Sequence, residues 1–275
     1  MSDPQLLAVG LGSIIGAVLA LTGAGGGILA VPLLVFGLGL SMAQAAPIGL
    51  LAVGLAAAVG ATLGLRQGIV RYRAALFIAV IGVMLTPCGL WLAHRLPNQP
   101  LALGFAAVMV FACLRIYRKA SAELRHGRPP PRAAFRPCVV NPVVGRLRWT
   151  LPCARSLALT GVLSGLLSGL LGVGGGFVIV PALTRYTDLD VKSITATSLA
   201  VIALVSTGSV LSASLSGRLQ WPVGLPFASG AVIGLLLGTA MAGYLKGPRL
   251  QQLFAMSGLL AALLLVINAW PTGAT

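Results

Sequence analysis

Two ten-residue stretches of the sequence place glycines and a proline where a backbone could bind an anion. "GAGGGILAVP" runs from Gly23 to Pro32, and "GVGGGFVIVP" runs from Gly172 to Pro181. Glycine is a poor helix former and proline a worse one, so each stretch should interrupt one helix and begin another near Ile28 or Phe177. A helix start carries unpartnered amide groups and the positive end of the helix dipole, and both favour an anion.

The triple glycines are the candidate ligands because their amides carry no side chain beside them. Pro32 and Pro181 follow one turn into each helix, and each frees the carbonyl four residues before it. The alternative is that the glycines only let membrane helices pack closely. Because the motif occurs twice and proline follows it, we favour binding. The candidate substrate-binding residues on the backbone are Gly25, Gly26, Gly27, Gly174, Gly175 and Gly176.

The second half of the chain adds side-chain hydroxyls after its glycines. They lie in the segment "SITATSLAVIALVSTGSVLSASLSG" and include Thr195, Thr197, Ser198, Ser206, Thr207 and Ser209. Serine and threonine in helices often only bond to helix carbonyls. We select Thr197 and Ser198, early in the segment, as the hydroxyls that contact a ligand. The first half has the apolar run "AAPIGL" in this region, so the site should be asymmetric.

The elements that position these residues must be membrane helices. Of the 275 residues, 57% are hydrophobic and only 8% are charged, whereas a globular domain has about 25% charged residues. The apolar runs are continuous, unlike the alternating strands of an outer-membrane barrel. We therefore expect an all-α polytopic membrane protein. Apolar segments are expected at about 6–21, 23–40, 43–65, 74–93, 99–117, 153–171, 177–187, 193–215, 222–245 and 250–269.

The two halves of the chain are related by an internal duplication. A shift of 149 residues aligns them without a gap and places Gly23–Pro32 on Gly172–Pro181. Such repeats are typical of secondary transporters. We expect a first membrane repeat over 1–117, a basic linker over 118–152 and a second membrane repeat over 153–275, each repeat with about five helical segments.

The distribution of basic residues predicts the orientation of the repeats. If each glycine-rich pair of segments enters the membrane and returns to the side from which it came, 17 Lys and Arg lie on the side of the linker and 2 on the other side. If one segment in each half does not count as a membrane crossing, 14 Lys and Arg lie on the side of the linker and 5 on the other side. The first arrangement fits the positive-inside rule better and predicts inverted repeats, a cytoplasmic linker and both termini in the periplasm.

Each glycine-rich pair either crosses the membrane fully or forms a re-entrant hairpin. The ten apolar residues after Gly176 cover about 15 Å as a helix, half of a hydrocarbon core of about 30 Å. Re-entrant hairpins would enter from opposite sides, so their tips would approach each other near the midplane.

Several other functional classes are disfavoured. The net charge of +15 follows from membrane topology, so we expect contact with membrane lipids and no nucleic-acid partner. The four cysteines have no metal or redox spacing, so we expect free thiols, no metal and no cofactor. The spans hold no convincing ionisable residue, which argues against a carboxylate proton pump and a metal-cation transporter. No set of nucleophile, base and metal suggests an enzyme.

The two glycine motifs, the "ATSL" run at Ala196–Leu199 and the closing "RLQQLFAMSGLLAALLLV" resemble the TauE/SafE family of sulfite exporters, a group of bacterial anion permeases. The resemblance covers nearly the whole chain outside 118–152, and "AAPIGL" in the first half departs from it. It implies an inner-membrane secondary transporter, expected to be an exporter, of sulfite, sulfonates, thiosulfate or related anions by alternating access at a midplane site. An importer of other organic anions and a non-transporting membrane scaffold are the alternatives. The sequence carries no signal for an oligomeric state.

Overall fold

Ten α-helices make up the protein in a computed structural model that describes residues 3–23, 26–95, 97–126, 137–139, 149–215, 217, 219–245 and 248–269. In chain order they are α1 (Asp3–Thr22), α2 (Gly26–Leu38), α3 (Met42–Arg66), α4 (Tyr72–Arg95), α5 (Asn98–His126), α6 (Leu151–Leu171), α7 (Gly176–Tyr186), α8 (Val191–Leu215), α9 (Trp221–Leu245) and α10 (Pro248–Ala269). They follow the ten predicted apolar segments, except that α5 continues well past 117. No β-strand occurs in the described ranges.

The lengths of the helices fit a membrane protein with two shorter helices. Among the described residues, seven helices are long and apolar enough to cross a membrane, which confirms the predicted all-α membrane class. The 13 residues of α2 and the 11 residues of α7 reach only about 20 and 17 Å. Neither covers a hydrocarbon core of about 30 Å.

The first glycine-rich pair of helices forms a hairpin. At its tip, Gly26 lies against Ile15 and Leu19 of α1, while Gly37, at the other end of α2, lies against Leu11. The second helix therefore runs back along the first. In the second half, Gly175 lies against Ser164, a contact that a shift of 149 residues relates to the contact between Gly26 and Ile15.

Helices of the two halves exchange close contacts. A Cβ on Gly16 of α1 would collide with the carbonyl of Ala231 on α9, and a Cβ on Gly165 of α6 would collide with the carbonyl of Gly82 on α4. The shift of 149 residues converts one contact into the other. The first helix of each half thus packs on the fourth helix of the other half. Such reciprocal contacts characterise an interface with twofold symmetry.

This packing predicts opposite effects for two neighbouring glycines of α1. A Cβ on Gly12 would collide with the carbonyl of Phe227, whereas Gly10 is exposed and has nothing within 4 Å. We expect Gly12→Ala to destabilise the protein by about 1–3 kcal/mol through overpacking. We expect Gly10→Ala to stabilise it by about 0.5–1 kcal/mol through helix propensity. Thermal unfolding in detergent measures both, and equal melting temperatures would contradict the packing of α1 on α9.

The equivalent helices α3 and α8 pack against each other at the centre. Gly54 lies against Ser206, and Gly64, further along α3, lies against Ala196, earlier in α8. A later residue of α3 therefore contacts an earlier residue of α8. The helices α3 and α8 therefore pack antiparallel to each other.

A disulfide joins Cys138 to Cys153, at the start of α6. The amide of Cys138 also donates to the carbonyl of Tyr186 at 3.1 Å, so this part of the linker is attached to both ends of the second hairpin. The expectation of four free thiols is therefore wrong for this pair and correct for Cys88 and Cys113. The pairing could not be predicted because it depends on how the linker returns to α6, and its spacing carries no motif.

Candidate functional site

The second glycine loop lies inside the protein, level with the middle of two long helices. Every residue from Leu171 to Gly176 is buried. Gly174 lies beside Val53 of α3 and beside Ile202 and Ser206 of α8. Both helices have 25 residues, and these neighbours are close to their midpoints. With α3 and α8 crossing the membrane, the loop lies deep in the hydrocarbon layer, where irregular backbone must be enclosed by protein.

The conformation of this loop depends on glycine. Gly172, Gly174 and Gly175 have φ of +71°, +71° and +66°, in the left-handed region that other residues seldom adopt. Gly175 is also the N-cap of α7, and no side chain caps that helix start. Glycine-rich turns of this kind can gather successive amides around an anion.

Several amides of the loop lack a hydrogen bond. At the end of α6, the Gly172 amide donates a hydrogen bond to the carbonyl of Ser168 at 3.0 Å. At the start of α7, the amides of Val178 and Ile179 donate hydrogen bonds to the carbonyl of Gly175 at 3.0 and 3.3 Å. Between them, the amides of Val173, Gly174 and Gly175 donate to no backbone carbonyl within the described part of the chain. The loop therefore offers donors at the positive end of the α7 dipole.

Three buried serine hydroxyls also lack a hydrogen-bond partner among the described residues. The Oγ atoms of Ser164, Ser168 and Ser206 are unpaired, and each residue is 0% exposed. A buried polar group without a partner costs about 1–3 kcal/mol. Other buried hydroxyls of the same helices avoid this cost, since Ser209 donates to the carbonyl of Val205. The unpaired serines are therefore candidates to bind a ligand.

These hydroxyls approach the loop from two helices. A Cβ on Gly175 would collide with the Ser164 Oγ, and the Ser206 Oγ lies 3.3 Å from the Cβ position of Gly174. Ser168 follows Ser164 by one turn of α6. We call Ser164, Ser168, Ser206, Gly174 and Gly175 the serine–glycine cradle. Its donors are hydroxyls and amides, and it contains no cationic side chain.

The cradle has no polar counterpart in the first repeat. The shift of 149 residues places Ser164, Ser168 and Ser206 on Ile15, Leu19 and Ala57. All three are apolar and 0% exposed. At these three pairs of equivalent positions, the second half carries hydroxyls and the first half carries apolar side chains.

The first glycine loop touches the second one. Gly26 and Gly27 begin α2, and Gly25 lies outside the described residues. A Cβ on Gly27 would collide with the carbonyl of Val173. The structure thus brings the two predicted loops together, and places Gly174, Gly175 and Gly176 at the start of α7.

The hydroxyls of Thr197 and Ser198 contact backbone groups. The Thr197 Oγ1 accepts from the amide of Arg71 at 3.1 Å. The Ser198 Oγ donates to the carbonyls of Gly23 at 3.1 Å and Thr195 at 2.8 Å. Thr197 thereby holds the turn before α4, and Ser198 holds the first glycine loop. A direct role for either residue in ligand binding stays a prediction.

Ser164 and Ser168 were not among the site residues predicted from the sequence, although the sequence contains a signal for them. The run "LSGLLSGLLG" repeats a Ser-Gly pair after four residues, so the two serines share one helix face and the two glycines share the next. Gly165 and Gly169 lie against Gly82 and Thr86 of α4. The serines lie on the adjacent face of α6, where Ser164 lies beside Gly175. Ser206 was among the hydroxyls considered in α8 but was not selected.

Comparisons with known proteins identify relatives along nearly the whole chain. The family model described as "Sulfite exporter TauE/SafE" matches residues 8–265. Two proteins from Xylella fastidiosa, of strains Temecula1 and 9a5c, are both named "Probable membrane transporter protein". They are 28% and 27% identical to this chain over 269 residues, with 96% of each chain covered. No solved structure gives a significant match.

Proposed function

Because the chain belongs to the TauE/SafE sulfite exporter family, we propose that it exports small sulfur-containing anions, such as sulfite or organosulfonates, as a secondary transporter. The observation that carries the proposal is the serine–glycine cradle. There, three unpaired, fully buried hydroxyls lie beside unbonded amides, level with the middle of α3 and α8. We propose that the substrate binds at this cradle.

The donors of the cradle suit an oxyanion. Sulfite and sulfonate groups present several acceptor oxygens and no donor, and hydroxyls and amides supply the complementary donors. These hydrogen bonds and the α7 dipole offset the cost of removing the anion from water. Since a transported ion must also leave its site, neutral donors suit the task better than a buried lysine or arginine.

We propose that the two halves are inverted repeats that move against each other to give alternating access. The antiparallel packing of α3 and α8, and the hairpin of α1 and α2, support this arrangement. The contact of Gly27 with Val173 supports a substrate site where the two repeats meet. The closed environment of the loop corresponds to an occluded state, from which either side could open.

We further propose that the protein lies in the bacterial inner membrane with the linker in the cytoplasm and both termini in the periplasm. The distribution of basic residues, 17 against 2, supports this orientation. The orientation also predicts the redox state of Cys138 and Cys153 in the cell. The cytoplasm keeps thiols reduced, so Cys138 and Cys153 should be thiols in growing cells and should form their disulfide on oxidation.

This orientation is tested by labelling cysteines in a Cys88→Ser/Cys113→Ser background. A membrane-impermeant maleimide should leave Cys138 and Cys153 unmodified in intact cells and should modify both after permeabilisation, as a gel shift reports. Modification in intact cells, or a disulfide already formed in cells quenched with acid, would place the linker in the periplasm and contradict the orientation.

The function is tested by transport in proteoliposomes. Labelled sulfite, thiosulfate, sulfoacetate and taurine are supplied in turn, and imposed pH and voltage gradients reveal the driving force. We expect flux of at least one sulfur anion that unlabelled substrate inhibits. Inverted and right-side-out vesicles separate export from import. Absence of flux for every anion would favour a scaffold whose glycines only pack helices.

A further inference from the structure

A cavity lined by two arginines lies between the end of α5 and the start of α10, at residues that the cradle does not use. Its volume is about 510 Å³. Arg118, Ser121 and Arg125 of α5 and Gln252 of α10 line it. The Gln252 Nε2 donates to the Ser121 Oγ at 2.9 Å, which ties the two helices together at the cavity. No acidic side chain lines it within the described residues.

The positions on α5 place both arginines on one side of the cavity. Arg118, Ser121 and Arg125 are spaced by three and four residues, so they share one helix face. The 29 residues of α5 span about 43 Å, more than a hydrocarbon core of about 30 Å. The first basic residue of the helix is Arg115, and the last is Arg125. The cavity therefore lies at the level of the lipid headgroups.

An apolar surface continues from the cavity toward the bilayer centre. Phe111 and Leu114 lie on the same face of α5 as Arg118, and Met256 lies one turn after Gln252 on α10. All three are exposed, Phe111 to 67%. Tyr117, at the cavity itself, is of a residue type enriched at membrane interfaces. Exposed apolar side chains thus follow the charged cavity along both helices toward the bilayer centre.

We propose that this cavity binds the phosphate of an anionic phospholipid. The guanidinium groups of Arg118 and Arg125 bind the phosphate oxygens, because the guanidinium fork matches phosphate geometry. The acyl chains lie along Phe111, Leu114 and Met256. Basic pockets between membrane helices bind anionic headgroups in this way. A free phosphate ion shares the headgroup chemistry but lacks the chains, so the two ligands can be separated by experiment.

The test uses native mass spectrometry of the full-length protein in detergent with mixed phosphatidylglycerol and phosphatidylcholine. The wild type should carry phosphatidylglycerol preferentially. The Arg118→Gln/Arg125→Gln variant should lose this preference by about fivefold for each arginine. The control, Arg73→Gln/Arg155→Gln, removes the same charge from two exposed arginines outside the cavity and should bind like the wild type. If the double variant does not fold, each single variant should show the fivefold loss.

Three results would overturn the proposal. One is wild-type binding with no preference for phosphatidylglycerol. Another is an equal loss in the control variant, which would show that only overall charge matters. The third is displacement of the lipid by millimolar inorganic phosphate, which would show that the cavity holds a free anion. Anion flux is measured separately, so a transport failure would leave the result for this cavity intact.

Discussion

Removing the hydroxyls of Ser164 and Ser206 together should lower anion transport about a hundredfold or more while the protein stays folded. A hydrogen bond to a charged group contributes about 1.5–3 kcal/mol, and every 1.4 kcal/mol changes affinity about tenfold. Two lost donors therefore account for an effect of this size. The measurement is the concentration dependence of sulfite and thiosulfate flux in proteoliposomes with Ser164→Ala/Ser206→Ala.

The stability of the same variant separates ligand binding from a structural role. Since neither hydroxyl has a hydrogen-bond partner within the described residues, replacing it with a methyl group should keep or raise the free energy of unfolding without substrate. A structural hydroxyl would show the reverse. The control is Thr160→Ala/Ser209→Ala, which removes buried hydroxyls of the same helices that donate to the carbonyls of Ser156 and Val205. Equal transport losses in both variants would contradict the cradle.

Replacing Gly175 by alanine should abolish transport and destabilise the protein by several kcal/mol. Its φ of +66° makes any Cβ cost about 1–2 kcal/mol. That Cβ would also collide with the Oγ of Ser164 and lie 2.7 Å from its carbonyl oxygen. Because overpacking adds about 1–3 kcal/mol, the loop must move away from α6. Thermal unfolding in detergent and anion flux measure the two effects.

Gly68 is the matched control for Gly175. Its φ is +69°, but a Cβ there would have nothing within 4 Å. Gly68→Ala therefore carries the cost of the left-handed conformation without the collision, and transport should continue. The difference between the two variants isolates the close approach of the loop to Ser164. If both behave alike, the loop does not need the space beside Ser164 and the proposed geometry is wrong.

The sequence by itself determined the class of the protein, the number of its helices and its family. A chain with 8% charged residues cannot cover a soluble surface, and a bilayer admits only helices or closed barrels. Continuous apolar runs therefore marked all ten helices, within a few residues at every end except that of α5, which continues to His126. The repeated glycine motif located the two helix interruptions, because only glycine and proline break helices so consistently. The same residues carried the family resemblance, which the family match over residues 8–265 confirms.

Only the tertiary structure decided which hydroxyls are free to bind a ligand. Thr197 and Ser198 were as good candidates by type as Ser206, but their hydroxyls have backbone partners from distant parts of the chain. The role of Ser164 depends on the packing of α7 against α6, which brings Gly175 beside its hydroxyl. Whether a hydroxyl is satisfied depends on atoms that long-range packing brings to it. The pairing of Cys138 with Cys153 has the same origin, since local sequence does not encode a contact made by the return of a loop.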